Sequence, residues 1–222
     1  MSVPLLIVRP EPGATATASK ARALGFMPIC APLFITRALD WQAPSPHDFE
    51  AVMMTSASAA RLGGAALAQY HHLPLYAVGH ATAVAARAAG FENVTVGDTD
   101  VAALLATIAA RGDRNILHIG GAELTIDHSP GLNLTRRIVY AAVAIVPAPA
   151  IPETPHILLH SPRAAAQLAT RIPITERRSR TLVTISAATA KAAGDGWCDV
   201  HIAILPNDDD LLACAAKRCK LI

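Results

Sequence analysis

The residues of this sequence best suited to chemistry are hydroxyls at recurring places. Ser56 and Ser161 sit in two similar segments, Met54-Thr55-Ser56-Ala57-Ser58-Ala59-Ala60-Arg61-Leu62 and Leu159-His160-Ser161-Pro162-Arg163-Ala164-Ala165-Ala166-Gln167-Leu168. Thr82 and Thr189 sit in a second pair, Ala77-Val78-Gly79-His80-Ala81-Thr82-Ala83 and Thr184-Ile185-Ser186-Ala187-Ala188-Thr189-Ala190. The two pairs follow in the same order, which reads as a duplicated half-domain. All four hydroxyls fall just beyond expected strand ends and at or near helix starts. A hydroxyl there can cap the helix, and the free backbone N–H groups attract anions. Any one of them alone is an ordinary cap; four together favour a ligand with several anionic groups.

Two further residues stand out. Arg9, in Val8-Arg9-Pro10, follows the first expected strand. Its guanidinium there is either a carboxylate clamp or half of a surface ion pair. Tyr140, one of three tyrosines, enters a strand in Arg137-Ile138-Val139-Tyr140. Phenols are protonated at neutral pH and can donate a proton or a hydrogen bond. Taken alone, Tyr140 would be an ordinary strand residue.

The elements that must position these groups alternate. Strands are expected at Leu5–Val8, Met27–Ala31, Ala51–Met54, Leu75–Val78, Val94–Val96, Asn115–Ile119, Ile138–Ile145, Ile157–His160, Thr181–Ile185 and Val200–Leu205. Helices are expected at Ala14–Leu24, Ser58–Gln69, His80–Ala89, Val101–Ala110, Ala164–Ala169, Ala187–Ala193 and Asp208–Lys217, with Gly25 and Gly90 closing two of them. Strand, helix and strand in turn predict an α/β protein with parallel sheets. In such sheets ligands bind at the carboxyl ends of the strands, where the four hydroxyls lie. Pro147 to Pro155 holds four prolines in nine residues and Asp40 to His47 holds Pro44 and Pro46. Both are expected domain connections, because proline suits neither a sheet interior nor a helix.

Composition excludes several functions. In 222 residues, 52% are hydrophobic and 16% charged, which provides core material and argues against disorder. A net charge of +2 and a pI near 8.4 are too weak to argue for nucleic acid. The start has no basic region, and the longest apolar stretch, Ala141 to Ile151, is cut by Pro147 and Pro149, so neither a signal peptide nor a membrane span is expected. The four cysteines form no C-x-x-C pair and are expected as reduced thiols, two of them buried. Ile119-Gly120-Gly121 lacks the third glycine of a dinucleotide loop, and there is no Walker A loop or G-x-S-x-G elbow. Of nine histidines only His71-His72 are close, and adjacent positions do not share a face, so no metal is expected.

The ordered motifs resemble the uroporphyrinogen-III synthase family along almost the whole chain. The opening Leu6-Ile7-Val8-Arg9-Pro10-Glu11-Pro12 is similar to the family's first strand and T-R-P turn, with Val8 where Thr is usual. Leu24-Gly25-Phe26 and Ala31-Pro32-Leu33 resemble the next helix end and strand. Phe49 to Ala59 resembles D-x-hydrophobic-x-T-S-x-x-A, and Ala77 to Ala83 with Ala89-Gly90-Phe91 resembles V-G-x-x-T-A … a-G-f, with His80 where Asn, Asp or Glu is common. Val139-Tyr140 resembles the family's V-Y pair, and Ser161-Pro162 and Ile185 to Ala190 its second-half counterparts. The stretch from Ala122 to Arg136 departs from the family's long helix and glycine.

The resemblance implies two flavodoxin-like domains joined by a two-stranded extended linker, with a cleft between the lobes. One domain would take residues 1–35 and 147–222, the other 38–143, with linkers near 34–39 and 141–148. It implies a cytoplasmic, cofactor-free, monomeric lyase of tetrapyrrole biosynthesis, without nucleic-acid or membrane partners. Its substrate would be hydroxymethylbilane, a linear tetrapyrrole with eight carboxylates, closed to uroporphyrinogen III with inversion of ring D and loss of water. Tyr140 would be the proton donor, and Arg9, Ser56, Thr82, Ser161 and Thr189 would bind substrate. The rival expectations are a non-catalytic tetrapyrrole or polyanion binder of the same fold, a two-lobed small-molecule sensor, and a nucleotide-dependent oxidoreductase, the last weak without a glycine fingerprint.

Overall fold

A computed structural model describes residues 2–97, 101–123 and 130–219. In chain order the elements are β1 (Val3–Ile7), α1 (Gly13–Ala23), β2 (Phe26–Cys30), β3 (Phe34–Ala38), β4 (Ala51–Met54), α2 (Ala57–Leu62), β5 (Leu75–Val78), α3 (His80–Ala88), β6 (Val94–Gly97), α4 (Val101–Arg111) and β7 (Asn115–Gly121). Then come β8 (Asn133–Ala144), β9 (His156–Leu159), α5 (Pro162–Arg171), α6 (Ile174–Arg177), β10 (Thr181–Thr184), α7 (Ala187–Ala193), β11 (Asp199–Ile202) and α8 (Asp208–Arg218). The chain forms two compact units, the first taking it up to Ile35 and again from Val143, the second being Thr36–Ala142.

In the first unit the strand order is β11-β10-β9-β1-β2, every pairing parallel. Leu5, Leu6, Ile7 and Val8 are all fully buried. A run apolar at every position belongs to a parallel strand covered on both faces, as the alternation predicts. Helix α1 presents Ala14, Thr17, Ala18 and Ala21 inward, and α8 presents Leu211, Leu212, Ala215 and Ala216. Both stripes follow the spacing of one helix face, and their small residues let the helices pack closely. In the second unit the order is β3-β8-β7-β4-β5-β6. Strand β4 is buried at all four positions and pairs in parallel with β5 and β7.

Four expectations are corrected. The helix expected over Ser58–Gln69 stops at Leu62, and a separate 3-10 turn covers Ala65–Tyr70. Alanine favours a helix through the segment, but Gly63-Gly64 breaks it, Gly64 taking φ +70°. The strand expected from Ile138 begins at Asn133. Its polar start Thr135-Arg136-Arg137 is held by parallel pairing to the buried β7, which overrides local composition. The strand expected to reach Leu205 ends at Ile202, at the edge of its sheet, and Ile204 is 90% exposed. All four cysteines are free thiols, but none is buried: Cys30 and Cys198 are exposed, Cys214 and Cys219 half-buried. Residues 124–129 of the departing stretch lie outside the described residues.

Candidate functional site

In the second unit, the ends of β4 and β7 and the later part of β8 shape a cavity of about 250 Å3 lined by Thr55, Ser56, Gly121, Ala122, Glu123, Tyr140 and Ala142. Ser56 follows β4 in an extended conformation and caps α2, its Oγ accepting from the Ser58 N–H at 3.2 Å. Tyr140 arrives by a register shift. Gly120 faces Ile138, yet Gly121 faces Tyr140, because Val139 is extra on β8. Such bulges re-aim a side chain. The Tyr140 ring lies against Gly121 so closely that a Cβ there would be 2.5 Å from Cζ and 2.8 Å from the hydroxyl oxygen. Any side chain at position 121 would drive the ring out. Arg136 Nη2 donates to the Gly121 carbonyl at 2.6 Å, and the Ala122 N–H donates to the Tyr140 carbonyl at 3.0 Å. Both bonds fix the strand end that holds the phenol.

Behind this cavity stands His118, fully buried on β7. Its Nε2 lies 3.4 Å from Thr55 Oγ1. A Cβ on Gly120 would come within 3.0 Å of that Nε2, so the glycine makes room for the ring. Burial, reinforced by the Arg136 charge, pushes the His118 pKa down to about 4. The imidazole is therefore neutral at pH 7.

In the first unit the polar groups close on each other. Arg9 Nη1 donates to Thr17 Oγ1 at 3.1 Å and to Asp208 Oδ1 at 3.3 Å. The Thr17 hydroxyl donates to Asp208 at 2.9 Å, and His160 Nε2 lies 2.9 Å from the same carboxylate. Burial raises the Asp208 pKa, but the hydrogen bonds from His160 and Thr17, with the His160 and Arg9 charges, outweigh it and hold it below the usual range. Burial pushes the His160 pKa down, against the pull of Asp208. The Arg9 guanidinium thus already pairs with a carboxylate of the protein, Asp208.

Of the four hydroxyls expected at helix starts, two are caps. Ser56 caps α2, and Ser161 caps α5, accepting from the Ala164 N–H at 3.2 Å. Thr82 and Thr189 do not cap, because the cap lies three residues earlier: Gly79, at φ +78°, precedes α3, and Ser186 caps α7. Thr82 is buried, and so is Thr189, whose Oγ1 lies 3.0 Å from Ser186 Oγ. The fold thus brings Ser56 and Tyr140 into one cavity. It ties Arg9 to His160, the neighbour of Ser161, through Asp208. Sequence reasoning missed Thr55 as a lining residue, and also His118, Gly121 and Asp208. The signals were a histidine inside an apolar strand, a glycine pair at a strand end, and an acidic helix start.

Comparison with known proteins adds kinship. The family profile described as uroporphyrinogen-III synthase HemD matches residues 15–213. A search of curated proteins finds no match. Among solved structures, uroporphyrinogen III synthase of Thermus thermophilus in its wild-type form-2 crystal is 14% identical at a TM-score of 0.40, covering 99% of this chain and 98% of that one. A selenomethionine mutant of the same protein in its form-1 crystal is 15% identical at 0.48, with the same coverage. A further structure of the Thermus thermophilus protein is 14% identical at 0.40, covering 98% and 100%.

Proposed function

Because this chain belongs to the uroporphyrinogen-III synthase family, we propose that it closes hydroxymethylbilane to uroporphyrinogen III, inverting ring D and releasing water. The observation that carries this reading is the family match across residues 15–213. The cavity around Tyr140 supports it chemically.

Closing the ring requires the substrate to lose its hydroxyl, and hydroxide leaves poorly. Tyr140 gives the departing oxygen a proton, water leaves, and a cation remains on the tetrapyrrole. Ring closure then expels a proton, which restores the phenol. The uninverted ring forms spontaneously, so the enzyme's contribution is to hold a flexible polycarboxylate in the geometry from which the inverted closure wins. Ser56 lines the same cavity and touches substrate beside Tyr140. Ser161, at the start of the ten-residue α5, receives a substrate carboxylate. Arg9 does so while sharing its charge with Asp208. Thr82 and Thr189, buried in their first helical turns, shape the neighbouring loops. As the family resemblance implies, the enzyme works as a cytoplasmic, cofactor-free monomer on this one small-molecule substrate. No described helix is long and apolar enough to cross a membrane.

The test is a coupled assay. Hydroxymethylbilane is generated in situ, the protein is added, and the products are oxidised and separated by isomer. Type III product well above the enzyme-free control is the expected result. Type I product alone, as in the control, would remove the synthase reading; a titration with the type III product would then show whether the chain is a non-catalytic binder.

A further inference from the structure

One buried polar group beside the cavity has no role in the reaction described above. His118 lies on β7 between Leu117 and Ile119, both fully buried, and is itself inaccessible to water. A core strand position is usually filled by an apolar side chain, because an imidazole there gives up its hydration. The ring recovers one contact only. Nε2 approaches Thr55 Oγ1 at 3.4 Å, while Nδ1 is buried with no hydrogen-bond partner among the described residues.

That asymmetry decides where the ring carries its proton. A neutral imidazole has one N–H and one lone pair. If the proton were on Nδ1, a buried N–H would have no acceptor. If it is on Nε2, only a lone pair goes unmet, and an orphaned donor costs more than an under-used acceptor. The Nε2–H tautomer is therefore the stable one, and Nε2 is the donor to Thr55.

The consequence falls on Thr55. A threonine hydroxyl has one hydrogen and two lone pairs. One lone pair is taken by His118, so the hydrogen cannot point at the ring. Thr55 makes no other side-chain hydrogen bond among the described residues, and it lines the Tyr140 cavity. Gly120 completes the arrangement, since a methyl group at that position would crowd Nε2.

We propose that His118 is a positioning residue of this site: by donating from Nε2 to Thr55 Oγ1 it turns the Thr55 hydroxyl hydrogen into the cavity, where a substrate oxygen accepts it. The cavity then presents two O–H donors, Tyr140 and Thr55, towards one bound oxygen, either the departing hydroxyl or a carboxylate of the tetrapyrrole. His118 never touches the substrate. This rests on the synthase reading and extends it to a residue that reading does not use.

The experiment combines kinetics on the full chain with a spectroscopic readout. Thr55→Val keeps the shape of the side chain and removes the donor; it lowers kcat/KM by about 10- to 100-fold, the worth of a hydrogen bond to a charged or charging group. His118→Leu lowers it by a similar factor. The double variant falls no further than Thr55→Val alone, because His118 acts through Thr55. His118→Gln, whose amide can still donate, recovers most of the loss, which a purely structural role would not produce. An active His118→Leu, or losses that multiply in the double variant, would overturn the proposal. The second readout needs no turnover and no core substitution. Nitrogen-detected NMR of the unmodified protein should find the His118 proton on Nε2, at a frequency that moves in Thr55→Val. A proton on Nδ1 would overturn the proposal, whereas a normal tautomer in a chain making no type III product would instead remove the synthase reading.

Discussion

The two units put the same loop at the same place and finish it differently. In each, a buried parallel strand ends in a polar residue and a serine that caps the next helix: Thr55-Ser56 after β4, His160-Ser161 after β9. In the first unit the groups around that loop neutralise one another. Asp208 takes hydrogen bonds from Thr17 and Arg9 and sits beside His160, and the cluster ties α1 and α8 to the ends of β1 and β9. In the second unit no carboxylate is hydrogen-bonded to Thr55 or Tyr140 among the described residues, although Glu123 lines the same cavity. The polar residue is Thr55, its histidine partner comes from the adjacent strand, and a cavity separates the loop from Tyr140. A polar group already paired inside the protein serves the fold, while one facing a cavity is available to a substrate. On the proposed reading, the contrast puts the chemistry in the second unit and a holding role in the first.

The substitution with the largest expected effect tests that assignment directly. The Tyr140 phenol oxygen makes no hydrogen bond among the described residues, and the ring packs on Gly121 by shape alone. Tyr140→Phe therefore keeps the packing and removes only the donor. Turnover should fall by about 100-fold or more, the usual contribution of a general acid, with the thermal midpoint unchanged. An unchanged rate would take Tyr140 out of the mechanism and erase the distinction between the units.

Next in size is the opposite kind of variant. Asp208→Asn removes the charge that organises the first unit and should lower stability at pH 7 by on the order of 1–2 kcal/mol, with the share of type III product unchanged. The pH dependence has a fixed sign. The folded state holds the Asp208 pKa below its ordinary value of 3.8, so the carboxylate contributes its stability above that value and loses it as pH falls through the lower, folded pKa. Denaturant midpoints of the two proteins should therefore differ at neutral pH and converge in acid below 3.8. A gap that stays constant in acid would mean that the carboxylate's ionisation contributes nothing to the first unit.

Much of this contrast was legible in the sequence, and the illegible part has a physical cause. The alternation of apolar runs with alanine-rich stretches gave the strands and helices, since a doubly covered strand must be apolar throughout. The repeated Ser-containing segments gave two strand-end loops and their caps. What the sequence did not reveal depends on neighbours far along the chain. Arg9 and Asp208 are 199 residues apart, so nothing local to Arg9 announces that its charge is already used. Tyr140 meets Gly121 only because one extra residue on β8 shifts the register, and a single sequence carries no mark of a bulge. Gly63-Gly64 and the early start of β8 show local propensity failing in both directions, once to a backbone that breaks an alanine-rich helix and once to a buried partner strand.

The smallest effects sharpen the comparison furthest, because the two loops can be cut at the same atom. Ser56 and Ser161 each accept one backbone N–H bond, at 3.2 Å in both cases. Ser56→Ala and Ser161→Ala should each cost about 1 kcal/mol of stability, the ordinary worth of a helix cap. Replacement by glycine should cost only a few tenths of a kcal/mol, because glycine suits the cap position. Function should separate what stability does not. On the proposed reading Ser161 binds a substrate carboxylate, so Ser161→Gly should raise KM and leave the isomer share of the product as it was. Ser56 lies in the cavity with Tyr140, so Ser56→Gly should shift the product towards the spontaneous type I isomer although its stability is nearly intact. Equal isomer shares from the two glycine variants would mean that the cavity does not select the closure, and the division of labour between the units would fail even with Tyr140 confirmed as the donor.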